Sequence, residues 1–229
     1  MVFGGLQKNS LIDYPGKVSC VLFVSGCNFH CPYCHNPQLV KGGMDRFNED
    51  TVFSYLKKRK GLLDGVVISG GEPTIHKGLP ALCNKIKQLG YPVKLDTNGT
   101  RPLVISRLID EGLVDYIAMD IKADPLAYPP SITRDYDPYH ILSSIRIIRE
   151  SGLPYEFRTT CVKPIVSLQA IKEIAGVING AMLYVLQRFR NTGVLDPDFF
   201  SRHDAVYDEE ELLYLKSIVE TRVKKCMVR

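Results

Sequence analysis

The 229-residue sequence has no apolar run that reaches the roughly 20 residues a membrane helix needs. Its N-terminus, MVFGGLQKNS, lacks both the charged and the apolar region of a secretion signal. A soluble, cytoplasmic protein with no membrane partner is expected. There is also no low-complexity tract, polar linker or internal repeat, so the 45% hydrophobic content is expected to build a single domain over residues 1–229. A basic stripe with interleaved aromatics is missing too. The net charge is only +4, and Lys57, Lys58, Arg59 and Lys60 read as a solvated helix end, so no nucleic-acid partner is expected. The seven cysteines are an odd number, and Cys20, Cys83, Cys161 and Cys226 are scattered, which suits reduced thiols better than a disulfide scaffold.

What is present is an alternation of two periodicities. Apolar, β-branched runs predict strands over Val18–Val24, Asp64–Ser69, Val93–Thr97, Tyr116–Asp120, Tyr155–Thr160 and Met182–Leu186. Helical spacing follows each of them, over Glu49–Lys60, Leu79–Leu89, Leu103–Glu111, Tyr139–Glu150, Leu168–Ile178 and Asp208–Lys224. Six βα units imply an α/β fold with a parallel sheet and right-handed crossovers, too few to close an eight-stranded barrel. A partial (β/α)6 barrel, open on one side, is expected, with a doubly wound open sheet as the alternative.

Both architectures place their sites at the C-terminal ends of strands, and four such ends carry distinctive residues. CNFHCPYC follows the first strand, SGGEP (69–73) ends the second, DTNG (96–99) the third and MDIK (119–122) the fourth. Taken singly, the last three are ordinary turn chemistry or a strand edge with a solvated lysine. The SITRDYDPYH stretch (131–140) reads as a solvated loop, with a partner contact as the other reading. His76, His140 and His203 are isolated and read as surface or structural residues, and Cys20 and Cys161 as buried hydrophobes.

Cys27, Cys31 and Cys34 put three soft ligands into eight positions, and such ligands select zinc or an iron-sulfur cluster. Structural zinc would need a fourth ligand, which His30 or His35 could supply. An iron-sulfur cluster held by three thiolates would keep one iron open to a non-protein ligand.

The C-x3-C-x2-C spacing, the aromatic residue before the last cysteine and the GGEP at the next strand end resemble the radical S-adenosylmethionine (SAM) superfamily. SLIDYPGKVSCVLFVSGCNFHCPYCHNP, with the CHN, the DTNG and the D-x-K, resembles more narrowly the glycyl-radical-enzyme activases, including those that serve anaerobic ribonucleoside-triphosphate reductase. The resemblance implies a [4Fe-4S] cluster on Cys27, Cys31 and Cys34 that binds SAM at its open iron. One electron would cleave SAM to methionine and a 5′-deoxyadenosyl radical, which abstracts a hydrogen atom from a glycine of a protein partner. By position, Gly70, Gly71 and Glu72 would receive the SAM amine, and a side chain at Gly71 would block SAM while sparing the cluster. Tyr33 and Asn36 would help seat the adenosyl part, Thr97 and Asn98 would reach the ribose, and Lys122, beside Asp120, would meet the SAM carboxylate. Asp96, Thr97 and Asp120 would hold a monovalent cation, unless Lys122 balances the two acids or one of their pKa values rises. Asp13 would touch the peptide substrate.

Two segments depart from the formate-lyase activases within that resemblance. VLQRFRN (185–191) lacks their sixth-strand histidine, leaving Gln187 or Arg188 as replacements, and DYPG (13–16) stands where they have DGPG. None of the 35 residues between Cys34 and Gly70 is cysteine, so there is no ferredoxin-like insert and the electron is expected from an external donor such as flavodoxin or ferredoxin. Two other classes remain: a small-molecule radical SAM enzyme, such as a deazaguanine-forming synthase, and a non-catalytic metal-binding module. The last does not account for GGEP, DTNG and MDIK together.

Overall fold

The computed structural model describes residues 1, 3–40, 46–201 and 204–229. The fold is α/β, with eight strands in chain order β1 to β8 in one sheet that is not closed on itself. They are β1 (Phe3–Ser10), β2 (Ser19–Val24), β3 (Gly65–Gly70), β4 (Val93–Thr97), β5 (Tyr116–Asp120), β6 (Tyr155–Cys161), β7 (Tyr184–Arg188) and β8 (Cys226–Val228). The six predicted strands are β2 to β7. Two were not predicted: β1, antiparallel to β2, and β8, parallel to β7. The chain divides into two compact units, one of residues 1–28, 38–97 and 103–117, the other of 29–37, 98–102 and 118–229.

In the first unit, β2 pairs in parallel with β3, in register from Ser19–Gly65 to Val24–Gly70, and β3 with β4. Burial of nearly every residue of β2, β3 and β4 explains why they read as continuous apolar runs rather than alternating ones. α1 (Pro37–Val40) is one turn, and α2 (Glu49–Lys58) starts at Asn48, whose side chain accepts from Thr51 N at 2.9 Å. Acids fill the first turn of α2 and lysines its last, as the helix dipole favours. α3 (Leu79–Gln88) buries Leu79, Leu82, Cys83 and Ile86, one stripe at helical spacing, and α4 (Pro102–Asp110) follows β4.

In the second unit, α5 (Pro138–Glu150) is capped by Asp137, begins with Pro138 and buries Ile141, Ser144, Ile145 and Ile148. α6 (Leu168–Val177) precedes β7, α7 (Pro197–Phe200) is again one turn, and α8 (Glu209–Val219) opens with a reciprocal Asp208/Glu211 capping box. β7 starts two residues later than expected. Met182 is half exposed and its N–H is taken by the Tyr155 hydroxyl at 3.1 Å, so it lies outside the ladder. Cys20 and Cys161 are fully buried, as read from their neighbours. His140 is exposed, His76 is partly buried with its pKa lowered by burial, and His203 falls outside the described residues. Among the described residues no helix is long and apolar enough to cross a membrane.

Candidate active site

In the first unit, Ser25–Cys27 leaves the end of β2 and lies against the end of β3 at backbone distance. Gly71 N donates to Val24 O and Glu72 N to Gly26 O, both at 2.9 Å. Gly70 and Gly71 make this approach possible. Gly70 has φ +113°, and a Cβ on it would lie 2.5 Å from Val24 N and O. On Gly71 a Cβ would lie 1.9 Å from Gly26 O. The side-chain direction at Gly71 is thus into the loop that carries Cys27, which revises the expectation that a substitution there spares the cluster.

Glu72 is buried, and its carboxylate Oε1 accepts from Thr74 N at 3.0 Å, from the Thr74 hydroxyl and from Thr97 Oγ1 at 2.8 Å. It caps the one-turn 3-10 helix Pro73–Ile75. That capping role was missed, although Glu followed by Pro and Thr is a helix-start pattern. Asp96, on β4, is bonded by Lys94 Nζ on one oxygen and by Ser69 Oγ at 3.1 Å on the other. Lys94 is itself 1% exposed, with its ammonium 5.8 Å from the Tyr116 ring centre. Residues i and i+2 share a strand face, which was the available signal for this pair. Asp13 is tied to Ser10 before β2, whereas Cys27 follows β2, so the whole strand separates them.

In the second unit, Cys34 N donates to Cys31 O at 3.0 Å, and Asn36 N points to Cys34 Sγ at 3.4 Å. Burial pushes the Cys31 thiol up to about 11, with Lys122 opposing the rise and Cys34 adding to it. None of the seven cysteines is in a disulfide. Tyr33 is buried with its ring 6.4 Å from Phe189, and burial raises its hydroxyl well above the usual tyrosine range, with the neighbouring Cys31 adding to the rise. His35 Nδ1 lies 3.1 Å from Thr192 O, and His30 is exposed. Among the described residues no three His, Cys, Asp or Glu side chains converge to hold a metal ion. The donor set Cys27, Cys31 and Cys34 is of the soft thiolate kind that an iron-sulfur cluster takes.

At the end of β5, Asp120 sits between two cations, with Arg158 Nε at 2.8 Å on one oxygen and Lys122 Nζ at 3.0 Å on the other. Burial alone would raise this carboxyl, yet the two cations hold it well below the usual carboxylate range. Lys122 responds in reverse: burial would lower it, but Asp120 keeps it protonated above the usual lysine range. Its backbone N–H is held by the Tyr128 hydroxyl at 3.0 Å, and Tyr128 stacks on Tyr136 with ring centres 4.8 Å apart. The SITRDYDPYH stretch is therefore not simply solvated. Ile132 and Thr133 are buried, Ile132 O accepts from His30 N at 2.9 Å, and only the Arg134–His140 part is largely exposed. Asn98 caps its own turn through Thr100 N at 3.1 Å, and Gln187 lies 3.4 Å from Thr160 Oγ1 while Arg188 pairs with Glu209 at 3.3 Å.

Residues 21–178 match the Radical SAM superfamily. The chain belongs to the radical SAM superfamily. A Methanocaldococcus jannaschii protein, named by inference as a glycyl-radical enzyme activating enzyme, is 35% identical over 98% of this chain and 94% of its own length. The 7-carboxy-7-deazaguanine synthase of Aquifex aeolicus is 31% identical, but over only 43% of each chain. SuiB of Streptococcus suis shares the fold with a TM-score of 0.65 at 15% identity, over 91% of this chain and 48% of SuiB. The expectation of a radical SAM enzyme of the open α/β type is met, and its cofactors are a [4Fe-4S] cluster and SAM.

Proposed function

We propose that this radical SAM enzyme activates a glycyl radical enzyme by removing a hydrogen atom from the Cα of a glycine, and that the partner is an anaerobic ribonucleoside-triphosphate reductase. The observation that carries the activase reading is the near end-to-end match to a protein named as such, 98% of this chain, against matches to deazaguanine synthases that cover 43% of this chain for that of Aquifex aeolicus and 60% for that of Thermococcus kodakarensis. The choice of reductase rests on the CHN, DTNG and D-x-K residues.

In this reading Cys27, Cys31 and Cys34 hold the cluster, and the cluster with SAM supplies the radical chemistry. The chain's own residues orient and screen. Gly70 and Gly71 let the cysteine loop pack onto the end of β3, where the backbone would meet the SAM amine, while the Glu72 carboxylate fixes that turn from beneath. Lys122, steadied by Asp120 and by Tyr128, offers a permanent cation to the SAM carboxylate. Tyr33 would bring an apolar ring and a buried hydroxyl near the adenosyl part, with Asn36, Thr97 and Asn98 along the nucleoside. The monovalent cation expected at Asp96, Thr97 and Asp120 is left out of the proposal, because Lys94 pairs with Asp96 and Lys122 and Arg158 pair with Asp120. A peptide contact by Asp13 would require a substrate that extends along β2.

With no cysteine between Cys34 and Gly70 to carry a second cluster, the electron comes from a soluble carrier such as flavodoxin or ferredoxin. The test is to reduce the anaerobically reconstituted protein with SAM, mix it with the reductase and record the electron paramagnetic resonance spectrum. A glycyl doublet that needs SAM and all three cysteines is expected. SAM cleavage without a doublet, accompanied by turnover of a deazaguanine precursor, would transfer the assignment to the small-molecule class.

A further inference from the structure

At the strand starts of the second unit, opposite in strand direction to Asp120 and Lys122, lies a cavity of about 240 Å³ bounded by Arg146, Arg149 and Glu150 of α5, Tyr155 and the 180–182 turn, and Lys224. Three cations face one acid. None of Arg146, Arg149 and Lys224 has a carboxylate partner within ion-pair distance among the described residues, whereas Lys163, Arg158 and Lys216 of the same unit each do. The Lys224 ammonium rests 3.6 Å from Met182 Sδ, a poor acceptor for a full charge.

The frame around these cations is well anchored. Gly180 N donates to Arg222 O at 2.7 Å and Lys224 N to Ala181 O at 2.8 Å, so the lysine is pinned to the turn that forms one wall. Gly180 takes φ +81°, a conformation that side-chain-bearing residues rarely adopt, and brings the turn within van der Waals reach of Arg149 Nη2, 3.5 Å from where a Cβ would stand. The Tyr155 hydroxyl accepts from Met182 N at 3.1 Å and fixes the other wall. Arginines at a helix C-terminus also complement the helix dipole. That effect does not account for Lys224, which arrives from a different segment with its own anchoring.

We propose that this cavity binds a small phosphomonoester that carries hydroxyl groups, of the sugar-phosphate kind. Two guanidinium forks and an ammonium suit a dianionic phosphate, which offers more acceptor oxygens than a carboxylate. The volume lies below the roughly 300 to 1,000 Å³ of sites for larger ligands, which limits the ligand to a phosphate and a few attached carbons. Glu150 would repel a bare phosphate at this range, and its place in the wall is explained by hydroxyl groups that donate to it. The site involves no residue assigned to the radical chemistry.

The experiment uses the full cluster-loaded chain and calorimetric titration with ribose 5-phosphate and, separately, with inorganic phosphate at fixed ionic strength. Saturable 1:1 binding of ribose 5-phosphate is expected, weakened at least tenfold by Arg149→Gln and by Lys224→Gln, both on the surface and checked for an unchanged melting temperature. Glu150→Gln separates the two parts of the proposal, since it should weaken ribose 5-phosphate while tightening inorganic phosphate. No saturable binding, or binding indifferent to both cation variants, overturns the site. Tightening of both probes by Glu150→Gln overturns the hydroxyl-bearing ligand.

Discussion

A methyl group added at Gly71 tests how the cysteine loop is seated. In Gly71→Ala the new carbon would start 1.9 Å from Gly26 O and 2.5 Å from Gly26 C, both backbone atoms that cannot rotate away. Restoring van der Waals contact requires the two segments to part by about 1.5 Å, enough to break the 2.9 Å bond from Glu72 N to Gly26 O. A lost buried hydrogen bond costs about 1 to 3 kcal/mol, and forced overpacking costs about as much, so the variant should lose about 3 kcal/mol of stability without its cluster. Cys27 follows Gly26 directly, so the displacement is passed to the first thiolate. Urea denaturation of the cluster-free protein reads the first effect, and iron and sulfide per chain after anaerobic reconstitution read the second, with well under half of wild-type content expected. Gly176→Ala is the matched control: it lies in α6 with nothing within 4 Å of its would-be Cβ, and should be neutral or stabilising by up to about 1 kcal/mol. Full iron content and unchanged stability in Gly71→Ala would refute the packing argument.

Wild-type protein should retain about four iron and four sulfide per chain, a content that Cys27→Ala, Cys31→Ala or Cys34→Ala abolishes and Cys83→Ala or Cys226→Ala leaves intact; stoichiometric zinc in anaerobically purified protein would contradict this. Lys122→Ala should weaken SAM binding about ten- to hundredfold by equilibrium titration while the cluster remains, the loss of one charge-assisted contact. Lys94→Met should destabilise the fold by about 3 kcal/mol by removing its buried ion pair with Asp96, and Lys94→Met with Asp96→Asn should recover much of that loss in a denaturation cycle. Because Lys94 and Lys122 already balance Asp96 and Asp120, SAM cleavage by the wild type should change little when potassium is replaced by a large organic cation; a strong dependence would reinstate the ion.

The strands that were legible in the sequence, β2 to β7, are those whose burial enforces long apolar runs. The two that were not are explained by their positions. FGGLQKNS, β1, is an edge strand with two glycines and an exposed polar end, and β8 has only three residues. The three cysteines were legible because their spacing carries the chemistry, whichever way the loop folds. Less legible was the support beneath them. Nothing in GGEP announces that Glu72 turns inward to Thr74 and Thr97, and nothing in VKLDT that Lys94 is buried against Asp96, because both depend on partners brought in by the fold.

The order of the sheet bears on how the protein is made. Since strand order follows chain order from β1 to β8, each strand needs only the one translated just before it, apart from the β1–β2 hairpin that starts the series. A nascent chain can therefore add strands in the order in which they leave the ribosome. At each stage it exposes one growing edge, and β2 must wait for the chain as far as Gly70 before its parallel partner is complete, so that edge stays open for about 40 residues of synthesis.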